Sequence, residues 1–503
     1  MIAGSLLFLS FPQYGQGIVA WIAFVPLLFA LNQGSVKSAL LTGLIAGLTF
    51  NIGLIYWITS VIVNYGDLPI PVGVAAMVLL AAYLGIYLAL FCGGAAYLKE
   101  RGVPQVVGAP LLWTCLEFIK SHIFTGFPWE NLANSQYLYT SIIQLADLTG
   151  TYGISFIIVL INVVIYDLLN SYIGSVPKGS WQRLAMEAGG ASLLLLILLL
   201  YGNLRINEIE QKMKMSPALD VALIQGNIDQ SRKWNPADQQ ETLTIYKSLS
   251  EQLPLSGSGL VVWPETAMPF YFQDRDFNSL QIYQAAQKTG HWFLFGSPSY
   301  KKEGGGLSFF NSAFLVSPAG EIAGRYNKVH LVPYGEYVPW RKFFPFLGKL
   351  VEGAGDFSTG DGYHPLTMNN HKIGILICYE AIFPEASRAY KKRGAELLVN
   401  ITNDAWFGNT SAPHQHLSMT PFRAVENRLY VVRAANTGIS AVIDPTGKIA
   451  SGTGLFVKAA LAGQVRFVDS GTYYMAYGDI FAYLCLISIA IIFMKLNFPR
   501  RIT

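Results

Sequence analysis

The chain has 503 residues, 52% of them hydrophobic and only 13% charged, with a formal net charge of +4. Average proteins carry roughly 25% charged residues, so this balance excludes an ordinary soluble protein and points to the integral membrane class. The small net charge, with no Lys/Arg tract, excludes a nucleic-acid surface, and the lack of CxxC pairs and internal repeats excludes a metal knuckle or repeat array.

A helix crossing a bilayer needs about 20 mainly apolar residues at 1.5 Å each. Spans are predicted at Gly17–Leu31, Ala39–Val63, Val72–Leu98, Pro104–Phe118, Tyr152–Leu169, Ala191–Tyr201 and Tyr477–Met494, with Ile2–Phe11 as a short eighth. Ile2–Phe11 lacks the basic lead-in of a cleaved signal peptide, since the first Lys or Arg is Lys37. Lys37, Lys99 with Arg101, Lys178 with Arg183, and Lys495 with Arg500 and Arg501 fall in alternate connections, whereas the loops around Tyr14 and Asp67 carry neither residue type. Positive loops stay inside, so both termini are expected in the cytoplasm and residues 205–474 outside, which in a bacterium means inner membrane and periplasm. The segment His122–Tyr139, with its run Gly126-Phe-Pro-Trp129, is too polar to span. It reads either as an outer connecting loop with interfacial aromatics or as a lipid-binding surface. Glu117 and Lys120, one turn apart at a span end, read as a snorkelling pair.

The expected division is therefore a transmembrane domain over 1–204, a soluble domain over 205–474 and a last span with its tail over 475–503. In the soluble part, strands are predicted at Val221–Gln225, Leu260–Trp263, Trp292–Phe295, Ala313–Val316, Ile373–Cys378, Glu396–Ile401, Val431–Ala434 and Ser440–Ile443. Helices are predicted at Asp238–Leu253, Asn278–Thr289, Phe383–Arg393 and Gln415–Asn427. Continuous apolar strands alternating with helices indicate layered α/β packing, with Pro318-Ala-Gly320 and Asp444-Pro-Thr-Gly447 as turns closing strand pairs.

Polar motifs follow these strands. They are Trp263-Pro-Glu265, the run Lys328-Val-His-Leu-Val-Pro-Tyr-Gly-Glu-Tyr-Val-Pro339, and Cys378-Tyr-Glu380. Strand ends in layered sheets are where ligand clefts open. Cys378 is the only cysteine outside the apolar segments, which hold Cys92, Cys115 and Cys485. A solitary thiol in an oxidising compartment is either a nucleophile or a structural cysteine closing a core strand. A strand–Cys–helix turn would aim a helix N-terminus at the thiol and favour the thiolate. His414 and His416 have no third ligand nearby and read as a polar loop rather than a metal site, and His330 reads as a bystander to Lys328.

Glu265, Lys328 and Cys378 in these contexts resemble the Glu–Lys–Cys triad of the nitrilase (carbon–nitrogen hydrolase) superfamily. With its spans, Asn403-Asp-Ala-Trp-Phe407 and the Gly126-Phe-Pro-Trp129 loop, nearly the whole chain resembles the apolipoprotein N-acyltransferase family, though its N-terminus lacks that family's longer, charged lead-in. The resemblance implies an αββα layered sandwich behind the helical membrane domain. It also implies transfer of a phospholipid acyl chain, through a Cys378 thioester, to the amine of diacylglyceryl-cysteine apolipoproteins. Glu265 would serve as base, Lys328 as oxyanion partner, Glu336 and Glu380 as helpers, and Trp234 and Tyr379 as the substrate entrance. Phosphatidylethanolamine would be the donor, and no cofactor or metal is called for. Trp340, Phe343, Phe344 and Phe346 read as a lid dipping into the interface or as core packing. The runner-up activity is a membrane-anchored amidase that passes the acyl group to water. A transporter ranks last, because the spans carry few ionisable groups.

Overall fold

The computed structural model describes residues 1–32, 34–173, 180–253, 255–303, 306–338 and 356–497, and the lid residues Trp340, Phe343, Phe344 and Phe346 lie outside that set, as do Lys178, Arg500 and Arg501. The chain divides into two compact units. One comprises Met1–Thr59, Ile70–Asn207 and Tyr477–Thr503, and the other Ser60–Pro69 and Glu208–Ala476.

Among the described residues, five helices are long and apolar enough to cross a membrane: Val36–Ile55, Ile70–Glu100, Thr151–Ile173, Trp181–Met215 and Ile480–Asn497. Val36–Ile55 and Ile70–Glu100 run closely together, because a Cβ on Gly47 would sit 2.7 Å from the Cα of Gly85. Small residues permit such backbone approach where no hydrophobic effect drives helices together. Gln105–His122 has 18 residues but carries Glu117 and Lys120.

Three expectations change here. Gly17–Leu31 is not one helix but a 3-10 turn, Gly17–Trp21, followed by Val25–Ala30. The backbone groups freed at this break are satisfied by side chains. Asn162 accepts from the Phe24 N–H at 2.9 Å and donates to the Ala20 carbonyl, while Gln136 donates to the Gly17 carbonyl. Ile2–Leu9 is an eight-residue helix, roughly 12 Å long and too short to cross alone. Ala39–Val63 breaks at Tyr56 into Val36–Ile55 and Trp57–Gly66.

The segment after His122 also departs from a surface loop. Residues Pro128–Gln136 are buried inside the helical unit, and Ile123, Phe124, Leu138 and Tyr139 are its exposed apolar residues. Glu117 accepts from the Leu132 N–H at 2.6 Å and Lys120 donates to the Trp129 carbonyl at 3.3 Å. The pair thus pins the aromatic segment instead of snorkelling.

Among the described residues, the second unit holds two six-stranded sheets. The first is built from β1 (Ala218–Gln225), β2 (Leu260–Val262), β3 (Trp292–Glu303), β4 (Gly306–Val316), β5 (Ile322–Asn327) and β12 (Ala459–Arg466), in the order β12-β1-β2-β3-β4-β5. The second comprises β6 (Leu366–Met368), β7 (His371–Ile377), β8 (Leu397–Thr402), β9 (Tyr430–Ala435), β10 (Ala441–Ile443) and β11 (Ile449–Gly452), in the order β11-β10-β9-β8-β7-β6. Each sheet has a parallel centre, β1-β2-β3 or β7-β8-β9, with antiparallel flanks. Parallel strands need helical crossovers, supplied by Gln239–Glu251 and Phe277–Thr289 in the first sheet and Pro384–Lys392 and Thr420–Asn427 in the second. β1 packs against β9, giving the αββα sandwich.

Strands β5, β6, β11 and β12 were not anticipated, being short or carrying exposed polar positions that mask a period-2 pattern. The helix expected over Gln415–Asn427 is two, Ala412–Ser418 and Thr420–Asn427, the second starting with Pro421 in its first turn.

Candidate active site

Four polar segments follow strand ends of the two sheets: Trp263-Pro-Glu265 after β2, Lys328 after β5, Cys378 after β7 and Asn403 after β8. Trp263 is fully buried in an aromatic core with Phe293 and Phe295, and its indole N–H donates to Ser250 Oγ at 2.9 Å. That anchor fixes the take-off of the next two residues. Gly296 makes room for them, since a Cβ there would lie 2.3 Å from the Thr266 nitrogen and 2.7 Å from the Glu265 Cα.

Both Glu265 oxygens are engaged. Oε1 accepts from Asn311 Nδ2 at 2.8 Å and Oε2 accepts from the Asn403 N–H at 2.9 Å, so the first sheet's carboxylate is gripped by the second sheet's loop. Burial pushes the Glu265 carboxyl above its ordinary range, with Lys328 opposing and Glu336 adding to the rise.

Lys328 is fully buried. Its ammonium donates to Glu336 Oε2 at 2.9 Å and stands 3.9 Å from Glu265 Oε1. Burial alone would discharge it, but the two carboxylates outweigh that and raise its pKa, so the cation is permanent. Asn311 Nδ2 also donates to Glu336 Oε1 at 2.9 Å, which makes this amide the bridge between the two carboxylates. Lys328 lies beyond the end of β5, so it and His330 share no strand face. The His330 ring instead stacks on Phe383 at 3.7 Å.

Cys378 begins a short 3-10 turn, Cys378–Ile382, with φ at +53°. A non-glycine residue in the left-handed region costs energy and persists only where surroundings hold it. Here Asn400 Nδ2 and His416 Nε2 contact the Cys378 carbonyl at 3.4 and 3.2 Å. His416 is in turn set by Asp404, whose other oxygen takes Arg433 at 2.7 Å. Although Asp404 is buried, Arg433 and His416 hold its carboxyl well below the usual range. His416 is therefore a buried strut behind the cysteine, not part of a polar loop.

The expected helix effect on the thiol is overridden. Burial, then Glu265, push the Cys378 thiol up, with Lys328 opposing. The resting sulfur is a thiol. Burial raises both the thiol and the Glu265 carboxyl.

Glu380 is held by four donors. Its Oε1 accepts from Tyr326 Oη, the Val329 N–H and the His330 N–H at 2.8, 2.8 and 3.0 Å, and its Oε2 accepts from the Ile377 N–H at 2.7 Å. Burial pushes it up to about 7 against the pull of those donors. It ties the residue before Cys378 to the two after Lys328. Tyr379 is buried, its ring set edge-on to Phe383, whereas Trp234 is 42% exposed. Two participants carried no warning in the sequence. Asn311 sits mid-strand in β4, and Lys233 precedes Trp234 with its side chain 2% exposed. A lysine at the end of a four-residue helix reads as solvated until the fold buries it.

Residues 3–164 match the family described as apolipoprotein N-acyltransferase N-terminal domain, and residues 220–473 match carbon-nitrogen hydrolase. The apolipoprotein N-acyltransferase of Geobacter metallireducens is 46% identical, covering 100% of this chain and 95% of its own. That of Pasteurella multocida is 32% identical, covering 95% and 90%. Among solved structures, a carbon-nitrogen hydrolase from Helicobacter pylori superposes with a TM-score of 0.40 at 17% identity, over 52% of this chain and 94% of its own.

Proposed function

The chain belongs to the apolipoprotein N-acyltransferase family, and from that premise we infer that it transfers an acyl chain from a phospholipid to the N-terminal amine of diacylglyceryl-cysteine apolipoproteins. The observation that carries the reading is the joining of Glu265, Lys328 and the strained Cys378 in one buried cluster.

In the first half, Glu265 takes the thiol proton as Cys378 Sγ attacks the ester carbonyl of the donor. Lys328 and the N–H following the nucleophile stabilise the tetrahedral oxyanion. Collapse breaks the ester bond, Glu265 returns the proton to the departing lyso-phospholipid oxygen, and the acyl group remains on sulfur. In the second half the acceptor amine attacks the thioester, Glu265 takes its proton, and collapse releases the N-acylated product and the thiol. Glu336 holds Lys328, Glu380 holds the two loops together, and Trp234 and Tyr379 guide the acyl chain in. No cofactor is needed for either half.

Phosphatidylethanolamine is the proposed donor. The chain carries its own membrane-length helices, so it resides where both lipid substrates are found. We place the catalytic unit in the periplasm and the chain in the inner membrane on the positive-inside rule. Supporting this, one end of the helical unit gathers Lys99 Nζ on Asn32, Arg101 on the Leu496 carbonyl and Tyr97 on Asn497. The catalytic unit is taken to span 205–474 with the added segment Ser60–Pro69.

Intact-mass measurement after incubation with phospholipid tests the proposal. A hydroxylamine-sensitive acyl adduct on Cys378, discharged by an acceptor lipopeptide, is expected. Discharge by water with the lipopeptide ignored would mark an amidase-like hydrolase instead, and a wild-type chain that never acquires the adduct would defeat both.

A further inference from the structure

Lys233 ends the short helix Gln230–Lys233, and its buried ammonium donates to the main-chain carbonyl of Glu265 at 3.2 Å. An ammonium has three N–H donors and a full charge, so a buried one with a neutral partner needs a negative neighbour. The titratable groups that act on it are Glu265 and Cys378, in that order.

Count the charges around the reacting atoms. Lys328 is committed at 2.9 Å to Glu336, and Glu265 stands farther from it at 3.9 Å. Glu265, Glu336 and Lys328 together sum to one negative charge, while Glu380, on which Lys328 also acts, is held by its own four donors. Asp404, which also acts on Cys378, is neutralised by Arg433. Among the described residues named here, a proton leaving the sulfur would therefore create a thiolate with no surplus cation to match it, were Lys233 absent.

We propose that Lys233 is a positioning residue that brings the cluster to neutrality, holding Glu265 as a carboxylate before the reaction and matching the Cys378 thiolate once the proton has moved. The proposal rests on the reading of Cys378 as nucleophile and Glu265 as base. The hydrogen bond to the Glu265 carbonyl has a second effect, since it holds the base's own backbone where Gly296 makes room for it. Burial brings the Lys233 ammonium down to about 8, so its charge is present at neutral pH and is withdrawn above that point.

The test compares the wild-type chain with Lys233→Met and Lys233→Arg, full length and in detergent, by two readouts. The first is the rate of iodoacetamide alkylation at Cys378, followed by peptide mass from pH 6 to 10, which needs no substrate. Lys233→Met is expected to slow alkylation about tenfold near pH 7 and to move its rise to higher pH, because a thiolate loses its counter-charge. The gap should close above about pH 8, where wild-type Lys233 has itself lost its proton. Lys233→Arg should restore most of the neutral rate. The second readout is acyl-adduct formation from phospholipid, where kcat is expected to fall about tenfold with the donor KM unchanged. Superimposable alkylation profiles for wild type and Lys233→Met, or a loss equal at every pH, would overturn the assignment. Should Lys233→Met not fold, Lys233→Gln, which keeps a donor for the Glu265 carbonyl but carries no charge, is read by the same profile: a slower rate at neutral pH is expected, and a profile superimposable on the wild type overturns the assignment. A wild-type chain that alkylates in this way but forms no acyl adduct would remove the transferase reading while leaving Lys233's electrostatic role in place.

Discussion

Buried polar side chains serve different ends in the two units. In the helical unit they attend to the chain itself: Asn162 and Gln136 close the broken stretch Gly17–Ala30, and Glu117 caps the buried Leu132 N–H. In the catalytic unit they attend to one another, with Glu265, Glu336, Lys328 and Lys233 in one cluster and Asp404, His416 and Arg433 in another. The first arrangement satisfies main-chain hydrogen bonds from within the protein, as a span in lipid requires. The second concentrates charge in a dry place, where each ion is expensive unless paired and its pKa is open to adjustment. Burial of a polar group is thus not in itself a mark of function. What marks the catalytic examples is that their charges act on one another, even where the hydrogen bond itself goes to backbone, as it does for Lys233 and Glu380.

That contrast is open to test, beginning with the largest effect. Cys378→Ala should abolish acyl transfer, a fall of about 10⁴-fold or more, with the melting profile retained; lipopeptide acylation followed by mass spectrometry checks it. Full activity in that variant would remove the nucleophile. Glu265→Gln keeps the size and one acceptor oxygen but cannot take a proton, and should lower the acylation rate about 10³-fold. In the wild-type chain the rate should rise with pH as Glu265 ionises, and burial places that limb above the ordinary carboxylate range. A pH–rate profile of the adduct step locates the limb, and its persistence in Glu265→Gln would assign it to another group. Gly296→Ala drives a methyl into the Thr266 nitrogen and Glu265 Cα, so the proposed base is displaced without any change in charge. Roughly a 10²-fold drop in kcat of the folded fraction is expected, together with a lower melting temperature, because the methyl meets main chain and not a flexible side chain. Asn162→Leu, in the helical unit, leaves the Phe24 N–H and Ala20 carbonyl without that partner. It should cost about 1–3 kcal/mol of stability, read by thermal unfolding in detergent, while the folded fraction keeps its kcat. Were Asn162→Leu to change kcat instead, the division between the two kinds of burial would fail.

The sequence was most readable where a signal is local. Trp263-Pro-Glu265 and Cys378-Tyr-Glu380 each put a reactive side chain straight after an apolar strand, and that strand can be seen without knowing its neighbours. Alternation of strand and helix likewise announced layered sheets. Lys233 and Asn311 were invisible because their neighbours arrive through tertiary folding, over sequence distances that no local pattern records. The thiol's environment went wrong for the same reason. A helix start was readable after Cys378, but burial outweighs it, and the Glu265 charge that adds to the burial comes from the other sheet. In the helical unit, apolar composition predicted where membrane helices lie but not where they break. The breaks at Gly17–Ala30 and Tyr56 depend on Asn162, Gln136 and Trp57, which donates to the Leu54 carbonyl.

The segment Ser60–Pro69 belongs with the catalytic unit, although it is flanked on both sides by residues of the helical one. Within it, Tyr65 donates to the Ala405 carbonyl at 2.9 Å and lays its ring edge-on to Trp406 at 4.9 Å. These two residues follow Asn403, whose N–H grips Glu265. A chain cut before Glu208 would therefore leave the catalytic unit short of a piece encoded some 140 residues earlier. The unit is not a cassette. Recombination with a freestanding relative, or expression as a soluble fragment, would have to supply a surrogate for Tyr65 or redesign the surface around Trp406.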